Sequence, residues 1–539
     1  MRRFLLGLLL ALGFAARPAA ALDAAAVGKL AFGESDEQIA AVNALVAAGD
    51  ERAQPLLQAL ADGAVQTAGK RVLIVTGDEG VDAVTGEKIA PLPEDREDVV
   101  VNNRLRREID SALGVFKLVS ADRGTRLKAA KALEDGADQS SLPLIRKALA
   151  RETDEAIGRV LERIAASIEV KSGDRAARLA AIHTLGRSGN PNSKTLLLSV
   201  LANKGGGEAG QKDGIAAEDP ELRAAAAMSL RAVEGRLLWG ERLGLAFAGI
   251  SLGSILLLAA LGLAITYGLM GVINMAHGEL IMVGAYTTYV VQNVFRGYAP
   301  GAFDWYLACA VPAAFFTSAL VGMVLERSVI RWLYGRPLET LLATWGISLM
   351  LIQAVRTLFG AANVQVENPV WMSGGIEVLA NVVLPWSRIV IIFFAAAVLA
   401  AMWLLLTRTR LGLFVRGVTQ NRSMASCVGV PTARVDTLAF GLGSGIAGLA
   451  GCALSQIGNV GPDLGQAYIV DSFMVVVLGG VGQLAGTVYA ALGLGFANKL
   501  LEAWQGAVLA KIAVLVFIVV FIQRRPQGMF ALKGRALES

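Results

Sequence analysis

The chain has 539 residues, of which 54% are hydrophobic and 18% are charged, and its formal net charge at pH 7 is +5. Ordinary soluble domains carry roughly 25% charged residues, and the mean hydropathy of +0.54 lies on the apolar side. These values exclude a disordered chain, a collagen and a simple soluble enzyme, and the presence of only three cysteines excludes a disulfide scaffold. A modest positive charge on an apolar chain is typical of Lys and Arg in the cytoplasmic loops of a membrane protein, rather than of nucleic-acid binding.

The aromatic residues divide the chain into two parts. All eight Trp lie at Trp239 or later, and all eight Tyr lie at Tyr267 or later. Residues 23–235 contain only two aromatic side chains, Phe32 and Phe116, and are rich in Ala, Leu and charged residues. The second part consists of long apolar runs separated by short polar stretches. We therefore expect an exported or soluble amino-terminal part followed by a membrane-embedded part.

Residues 1–21 are predicted to be a secretory signal peptide. Arg2 and Arg3 supply its positive start, 4–16 is a short apolar core, and Ala19–Ala21 offers a small-residue cleavage site. A core of this length is too short to cross a bilayer about 30 Å thick. An uncleaved anchor is the alternative, and in both cases the residues that follow are exported.

Residues 22–235 are predicted to form an exported, periplasmic helical domain with weak internal repetition. Three similar helical segments begin at Arg126, Arg178 and Leu222, which are 52 and 44 residues apart. This spacing approaches the period of about 40–47 residues of HEAT-type stacks of helix pairs. A small β-hairpin is expected as an insertion within 72–85. Such stacks bind partners, and a plain spacer is the alternative.

Residues 243–530 are predicted to form a polytopic bundle of transmembrane helices, so the fold class is all-α apart from the small hairpin. Basic clusters place three loops in the cytoplasm, and the loop 360–386 outside. An exported amino-terminal domain and a cytoplasmic carboxyl terminus require an odd number of crossings, either nine, or seven with a re-entrant segment at 468–482. The candidate spans are about 243–266, 275–293, 306–325, 339–359, 388–406, 435–457, 468–482, 484–501 and 508–523.

Small residues recur at a spacing of four in the later spans. Gly441 and Gly445 form one Gly-x-x-x-Gly pattern, and Gly482 and Gly486 form another. Residues without bulky side chains let helix backbones approach closely, so these four glycines are predicted to serve helix packing. A backbone-lined substrate path is the alternative.

Three polar residues follow the first apolar run. Asn274, His277 and Glu279 lie in an apolar background, and polar groups at membrane depth are costly and are usually functional. On a continuous helix, Glu279 lies about 200° around from His277, so one path accommodates all three only if the backbone breaks, which Gly271 and Gly278 permit. The alternative is a cytoplasmic interfacial turn in which the carboxylate favours the amino end of the next helix.

A second polar feature is the basic stretch 407–434. It is long enough for a short helix between Gly412 and Gly429, and it has more apolar residues than a solvated loop needs. We therefore predict a cytoplasmic docking helix, with a solvated positive loop as the alternative. Its apolar face is expected to consist of Leu413, Val418, Met424 and Val428.

Several motifs, in order, resemble permease subunits of branched-chain amino-acid-type ABC importers over about 243–530. They are Gly-Val-Ile-Asn-Met-Ala-His-Gly-Glu at 271–279, Arg-Thr-Arg-Leu-Gly at 408–412 with Gln-Asn-Arg at 420–422, Val-Leu-Gly-Gly-Val-Gly at 477–482, and Arg-Pro-Gln-Gly-Met-Phe at 525–530. The long exported domain, together with Thr-Gln-Asn-Arg-Ser-Met-Ala at 419–425, resembles the urea-importer branch of these permeases.

The resemblance implies a set of partners. They are a periplasmic solute-binding protein, a second and unlike permease subunit, and two ATP-binding subunits that use the ATP, with membrane lipid around the bundle. This chain itself is expected to bind no cofactor, metal or nucleic acid. By the same resemblance, 412–429 is the coupling segment seated on an ATP-binding subunit, and its candidate contact residues are Leu413, Arg416, Gln420, Asn421, Met424 and Gly429.

The resemblance also implies a multi-pass protein of the bacterial inner membrane that works by alternating access. A path for a neutral polar solute needs hydrogen-bonding groups, although interhelical hydrogen bonding is the alternative role of each. Lys499 and Glu502, three residues apart, are expected to pair with each other. The candidate path residues are Asn274, His277, Glu279, Thr344 and Gln353.

The sequence is compatible with four functions: an importer permease for urea or a short amide, the same machine for branched-chain amino acids, an exported sensor or scaffold on a membrane anchor, and a passive urea channel. The coupling-like stretch favours the first two. An enzyme is not expected, because the chain has only two histidines, His183 and His277, in different compartments, and no catalytic residues or metal cluster are apparent.

Overall fold

A computed structural model describes residues 22–530 apart from 49–51, 78, 90, 94, 135–136, 138, 173, 203–218 and 272. The predicted signal peptide, 1–21, lies outside the described residues. Contacts divide the chain into two compact units, Met1–Leu237 and Leu238–Ser539.

The first unit is built mainly of helices. Acidic or amide side chains begin several of them: Asp122, for example, accepts a hydrogen bond of 2.7 Å from the Thr125 backbone N–H, which the helix itself leaves unpaired. The helices are α1 (Ala24–Phe32), α2 (Ser35–Ala48), α3 (Ala53–Ala61), α4 (Asn103–Phe116), α5 (Arg123–Leu133), α6 (Leu142–Arg151), α7 (Glu155–Glu169), α8 (Arg175–Arg187), α9 (Pro191–Ala202) and the beginning of α10 (Pro220–Met270), which contains the boundary between the units.

An antiparallel sheet interrupts these helices. Its strands are β1 (Val65–Ala68), β2 (Arg71–Thr76), β3 (Glu79–Asp82), β4 (Lys88–Ile89) and β5 (Arg96–Asp98), in the order β4-β3-β2-β1-β5. The predicted hairpin is confirmed as β2 and β3, which pair from Leu73 opposite Asp82 to Thr76 opposite Glu79. It is part of a larger sheet, however. The outer strands escaped prediction because they are short and polar, and β5 is exposed throughout.

The three similar segments in the sequence are all helical. They fall in α5, in α8 and at the start of α10, and the second helices expected between them are α6 and α9. An additional helix, α7, lies between α6 and α8 and buries Ile157, Leu161, Ile164 and Ile168 on one face. The helical domain is thus confirmed, whereas its classification as a HEAT-type stack stays a prediction.

The second unit is a bundle of helices joined by short connections. The loop 360–386 contains a two-stranded antiparallel sheet, β6 (Gly375–Leu379) and β7 (Val382–Pro385), which hydropathy alone did not indicate. After α10, the helices are α11 (His277–Tyr298), α12 (Tyr306–Ser328), α13 (Pro337–Phe359), α14 (Trp386–Arg408), α15 (Arg410–Gln420), α16 (Arg422–Cys427), α17 (Thr432–Ser455), α18 (Leu464–Gly479), α19 (Leu484–Gln505) and α20 (Ala507–Arg524).

All nine apolar segments expected from hydropathy are helical. Within the described residues, seven helices are long and apolar enough to cross a membrane: α10, α12, α13, α14, α17, α19 and α20. Helix α18 has 16 residues and is shorter than the rest. Helix α11 has 22 residues, but polar side chains dilute its hydrophobicity. The structure therefore supports a membrane bundle, while the choice between seven and nine crossings stays a prediction.

The centre of this bundle consists of α11, α12 and α17, which pack against one another through small residues. Gly284 of α11 lies directly against the backbone of Gly448 in α17, and Ser444 of α17 fills the space beside Gly322 of α12. A side chain at any of these glycines would collide with its neighbour. Close backbone approach of this kind stabilises helix packing in lipid, where hydrophobicity does not drive association between helices.

Candidate functional site

The backbone breaks between α10 and α11, as the sequence suggested. Gly271 adopts a positive φ of 65°, which ends α10, and α11 begins six residues later at His277. In this break, the Asn274 side-chain oxygen accepts a hydrogen bond of 3.0 Å from the Ala276 N–H, which turns the chain into α11. Gly278, the second expected breaking point, instead lies inside α11 and faces the backbone of Gly465.

Asn274 is buried at the break. Only 2% of its surface is exposed. Its side-chain oxygen is engaged in the turn, but its Nδ2 has no hydrogen-bond partner among the described residues. An unpaired amide donor in a membrane protein interior is unfavourable, so this group is available to a ligand.

Glu279 is held by α13. Its Oε1 accepts a hydrogen bond of 2.7 Å from the Ser348 hydroxyl, and its Oε2 has no partner in the part of the chain that the structure describes. One turn earlier on α13, the Thr344 hydroxyl oxygen accepts a bond of 3.2 Å from the Met275 N–H. Helix α13 therefore connects the break to the first turn of α11.

Sequence reasoning missed Ser348. Its signal lay in the spacing, because Thr340, Thr344 and Ser348 recur every four residues and so share one face of a helix. All three are buried. Gln353, which was expected on the same path, is exposed on α13 instead and has no place in this cluster.

His277 makes a different connection. Its ring is fully buried, and its Nε2 lies 2.9 Å from the Ala259 carbonyl oxygen of α10. Because a carbonyl only accepts, Nε2 carries the proton in this arrangement, which leaves Nδ1 as an unpaired acceptor among the described residues. His277 therefore ties α11 to α10.

The polar cluster is defined as Asn274, Glu279, Thr344 and Ser348. It offers one unpaired donor, Asn274 Nδ2, and one unpaired acceptor, Glu279 Oε2. No Lys or Arg bonds to these four side chains in the described contacts. Chemically, this set suits a small molecule that carries both a carbonyl oxygen and N–H groups.

The stretch 407–434 folds as two helices rather than the single short helix expected. Helices α15 and α16 are separated by Asn421, whose extended backbone and side chain start the second helix, since its Oδ1 accepts a bond of 2.9 Å from the Met424 N–H. Thr409 starts α15 in the same way. Gly429, with a φ of 89°, forms the turn that leads into α17.

The two helices have an inner face and an outer face. Val415, Val418 and Ala425 are buried against Val435 and Ala439 of α17. The prediction that Val418 belongs to the outer face is therefore wrong: its position on α15 points it inward. The outer apolar face consists of Leu413 and Met424, each 61% exposed, and Val428, which is 78% exposed.

The remaining residues expected in this segment border a groove. Arg416 and Gln420 of α15 line a space of about 390 Å³, together with Gly482 and Gln483 from the turn between α18 and α19. The Arg416 Nε also donates a bond of 3.3 Å to the Gly412 carbonyl oxygen of its own helix.

The four glycines singled out for packing all lie at close approaches. A Cβ on Gly441 or Gly445 would lie 2.6 Å from Met323 or Phe315, respectively. Gly486 faces the backbone of Gly479, and Gly482 adopts a positive φ of 80° in a turn that lies against Gly268. The expected pair of Lys499 and Glu502 is confirmed, with its charged atoms 2.6 Å apart.

Comparison with known proteins bears on the membrane unit. A sequence profile described as branched-chain amino acid transport system / permease component matches residues 245–523, just over half of the chain. The chain belongs to this permease family. As an ABC permease it is an inner-membrane protein that acts with ATP-binding subunits and a periplasmic binding protein, and its relatives are transport subunits.

Several curated relatives are similar to this permease. The high-affinity branched-chain amino acid transport system permease protein LivH of Escherichia coli K12 is 28% identical over 291 residues, covering 52% of this chain and 93% of LivH. BraD of Pseudomonas aeruginosa, described in the same words, is 26% identical over 287 residues, covering 52% and 93%. The ribose import permease protein RbsC of E. coli K12 is 27% identical over 172 residues, covering 30% and 47%. No solved structure gives a significant match.

Proposed function

We propose that this permease forms half of the path of an ATP-driven importer for urea or a related short amide, beside a second and unlike permease subunit. Family membership supports transport rather than an exported scaffold or a passive channel. The resemblance of the exported unit and of 419–425 to the urea branch supports the choice of solute. The observation that carries the proposal is the polar cluster, with its unpaired amide donor and carboxyl acceptor.

The chemistry of the cluster fits an amide. Urea presents one carbonyl oxygen and four N–H donors, so Asn274 Nδ2 donates to the carbonyl while Glu279 Oε2 accepts from an N–H. A zwitterionic amino acid needs either a cation or several N–H donors for its carboxylate, and none of the contacts described for the cluster includes Lys or Arg. A neutral amide therefore matches the available groups better than an amino acid does.

The cluster is buried in this conformation, so passage requires a movement. Helix α13 holds both Met275 and Glu279, and its displacement from α11 would open the cluster. In the proposed orientation, the amino-terminal unit is periplasmic and the carboxyl terminus cytoplasmic, since the basic clusters then face the cytoplasm. ATP-driven closure of the partner subunits acts on α15 and α16, and the bundle alternates between outward and inward access.

The test is the uptake of labelled urea and labelled leucine at micromolar concentration by cells lacking the gene. We expect the deletion to abolish urea uptake alone, and the wild-type gene to restore it. Glu279→Gln should retain less than a tenth of that uptake, because it replaces the unpaired acceptor. Glu502→Gln, a carboxyl-to-amide change in the half-buried ion pair with Lys499, is the matched control and should restore uptake fully. Unchanged urea uptake in the deletion strain would refute the proposal.

Branched-chain amino acids are the second candidate solute. They are favoured by the relatives LivH and BraD, which are described as branched-chain amino acid permeases and align with about half of this chain. The same experiment separates the two candidates, since loss of leucine uptake with intact urea uptake would establish the amino acid. It would also mean that the exported unit is no marker of the solute.

A further inference from the structure

Two buried carboxylates lie where α12 ends and α17 begins. Glu326 is completely buried near the end of α12, and Asp436 is 1% exposed in the second turn of α17. Both belong to helices of the bundle centre. Charged groups in such a position are costly unless they are paired and hydrogen-bonded.

Asp436 is paired with the coupling segment. Its Oδ2 accepts a hydrogen bond from the guanidinium of Arg422, the first residue of α16, while its Oδ1 has no hydrogen-bond partner among the described residues. Arg422 also lies over the ring of Tyr334, with its guanidinium carbon 4.8 Å from the ring centre. One side chain thus joins α16 to α17 and to the connection between α12 and α13.

Tyr334 continues the chain of contacts to the second carboxylate. Its hydroxyl donates a hydrogen bond of 3.1 Å to Glu326 Oε1. The Thr437 hydroxyl donates one of 2.6 Å to Glu326 Oε2, and the Arg331 guanidinium lies 3.8 Å from Oε1. The contacts form a closed circuit from α16 through α17 and Tyr334 to α12, which we call the clamp.

The geometry of the clamp requires arginine. A planar guanidinium can pair with a carboxylate and stack on an aromatic ring at the same time, whereas a lysine ammonium is a point charge without a planar face. Removal of the guanidinium would leave the buried Asp436 carboxylate without its hydrogen-bond donor, which is more costly than a buried pair itself. Arg422 therefore fixes the position of α16 relative to α17 and Tyr334.

We propose that Arg422 is a positioning residue for energy coupling, because the clamp makes α16, α12 and α17 move together when a partner pushes on α16. The inference rests on the proposed role of α15 and α16 as the surface for the ATP-binding subunits. It names the residues through which their movement reaches the bundle centre: Arg422, Asp436, Tyr334 and Glu326.

The experiment uses the whole transporter in proteoliposomes and has two measurements. The first is the change in hydrogen exchange of α12 and α17 when ATP is added. Arg422→Lys should show less than half of the wild-type change, and Arg434→Lys, an exposed arginine of the same stretch, should show all of it. Tyr334→Leu keeps the ion pair of Arg422 with Asp436 but removes the stacked ring and one hydrogen bond to Glu326, while the bond from Thr437 to Glu326 remains. The change should therefore fall in both helices, by less than in Arg422→Lys.

The second measurement is the number of solute molecules imported per ATP hydrolysed. Arg422→Lys should lower this ratio at least fivefold while ATP hydrolysis continues. A merely structural role would reduce the amount of assembled transporter and leave the ratio unchanged. Wild-type changes in exchange for both Arg422→Lys and Tyr334→Leu would overturn the clamp. A wild-type transporter that imports neither urea nor leucine would refute the proposed function, while the exchange measurement still decides the clamp.

Discussion

Helices α11 and α18 are in backbone contact beside the site, where Gly278 faces Gly465 and no side chain separates them. Gly278 lies between His277 and Glu279, and a Cβ at this position would be 2.6 Å from the carbonyl oxygen of Gly465. Ordinary contacts of a Cβ begin near 3.4 Å, so Gly278→Ala must move the two backbones about 0.8 Å apart. The obstacle is backbone, which cannot swing aside as a flexible side chain can.

The size of the effect follows from the packing. Overpacking of a tight interior costs about 1–3 kcal/mol, and this site lies near the upper end because both partners are backbone. Gly346→Ala in α13 is the matched control, since nothing lies within 4 Å of its Cβ position. Removing a helical glycine there should be neutral or stabilising by up to about 1 kcal/mol.

The assay is the thermal unfolding of the detergent-solubilised permease, followed by solute uptake in cells. Gly278→Ala should melt several degrees below the wild type and lose uptake, because Glu279 moves away from Ser348. Gly346→Ala should melt at or above the wild-type temperature and transport normally. Equal melting temperatures for the two variants would show that the helices are not in backbone contact, and the reasoning would fail.

Three further effects are expected. The Arg126 guanidinium holds the pKa of the Glu152 carboxyl below its ordinary value of 4.5, so this pair stabilises the first unit above about pH 4.5. That stabilisation is lost as the pH falls through the lowered pKa, and Glu152→Gln should flatten the pH dependence of hydrogen exchange in α5, after correction for intrinsic rates. Tyr306→Phe removes hydrogen bonds to the Glu367 carbonyl oxygen and Gln456 and should lower the free energy of unfolding by about 1–3 kcal/mol. An unchanged melting temperature would contradict a stabilising role for these hydrogen bonds. Asn421→Ala removes the cap of α16 and should weaken that helix by about 1 kcal/mol, seen as faster exchange confined to α16.

The membrane bundle was largely predictable from the sequence. Apolar segments of about 20 residues have few alternatives in lipid, and all nine that were expected are helical. The break before α11 was also predictable, because glycine readily adopts a positive φ, as Gly271 does here. The ion pair of Lys499 and Glu502 was predictable because it is local to one helix.

Contacts between distant segments were not predictable in the same way. The bond between Ser348 and Glu279 joins residues that are 69 positions apart, and nothing in either local sequence indicates the other. The inward turn of Val418 depends on Val435 and Ala439, which a single helix pattern cannot reveal. The small strands around the predicted hairpin failed for another reason, since they are too short and polar to show a period of two.

The polarity of α11 has a consequence for how the protein is made. Polar side chains such as His277, Glu279 and Gln292 keep α11 out of the set of helices apolar enough to cross a membrane unaided, although half of its residues are buried in the bundle. The translocon inserts segments according to their apparent hydrophobicity, so α11 requires contacts with neighbouring helices to be stable in the lipid. Helix α17, which covers it, ends at Ser455. The packing around α11 can therefore be completed only after Ser455, residue 455 of 539, has been synthesised.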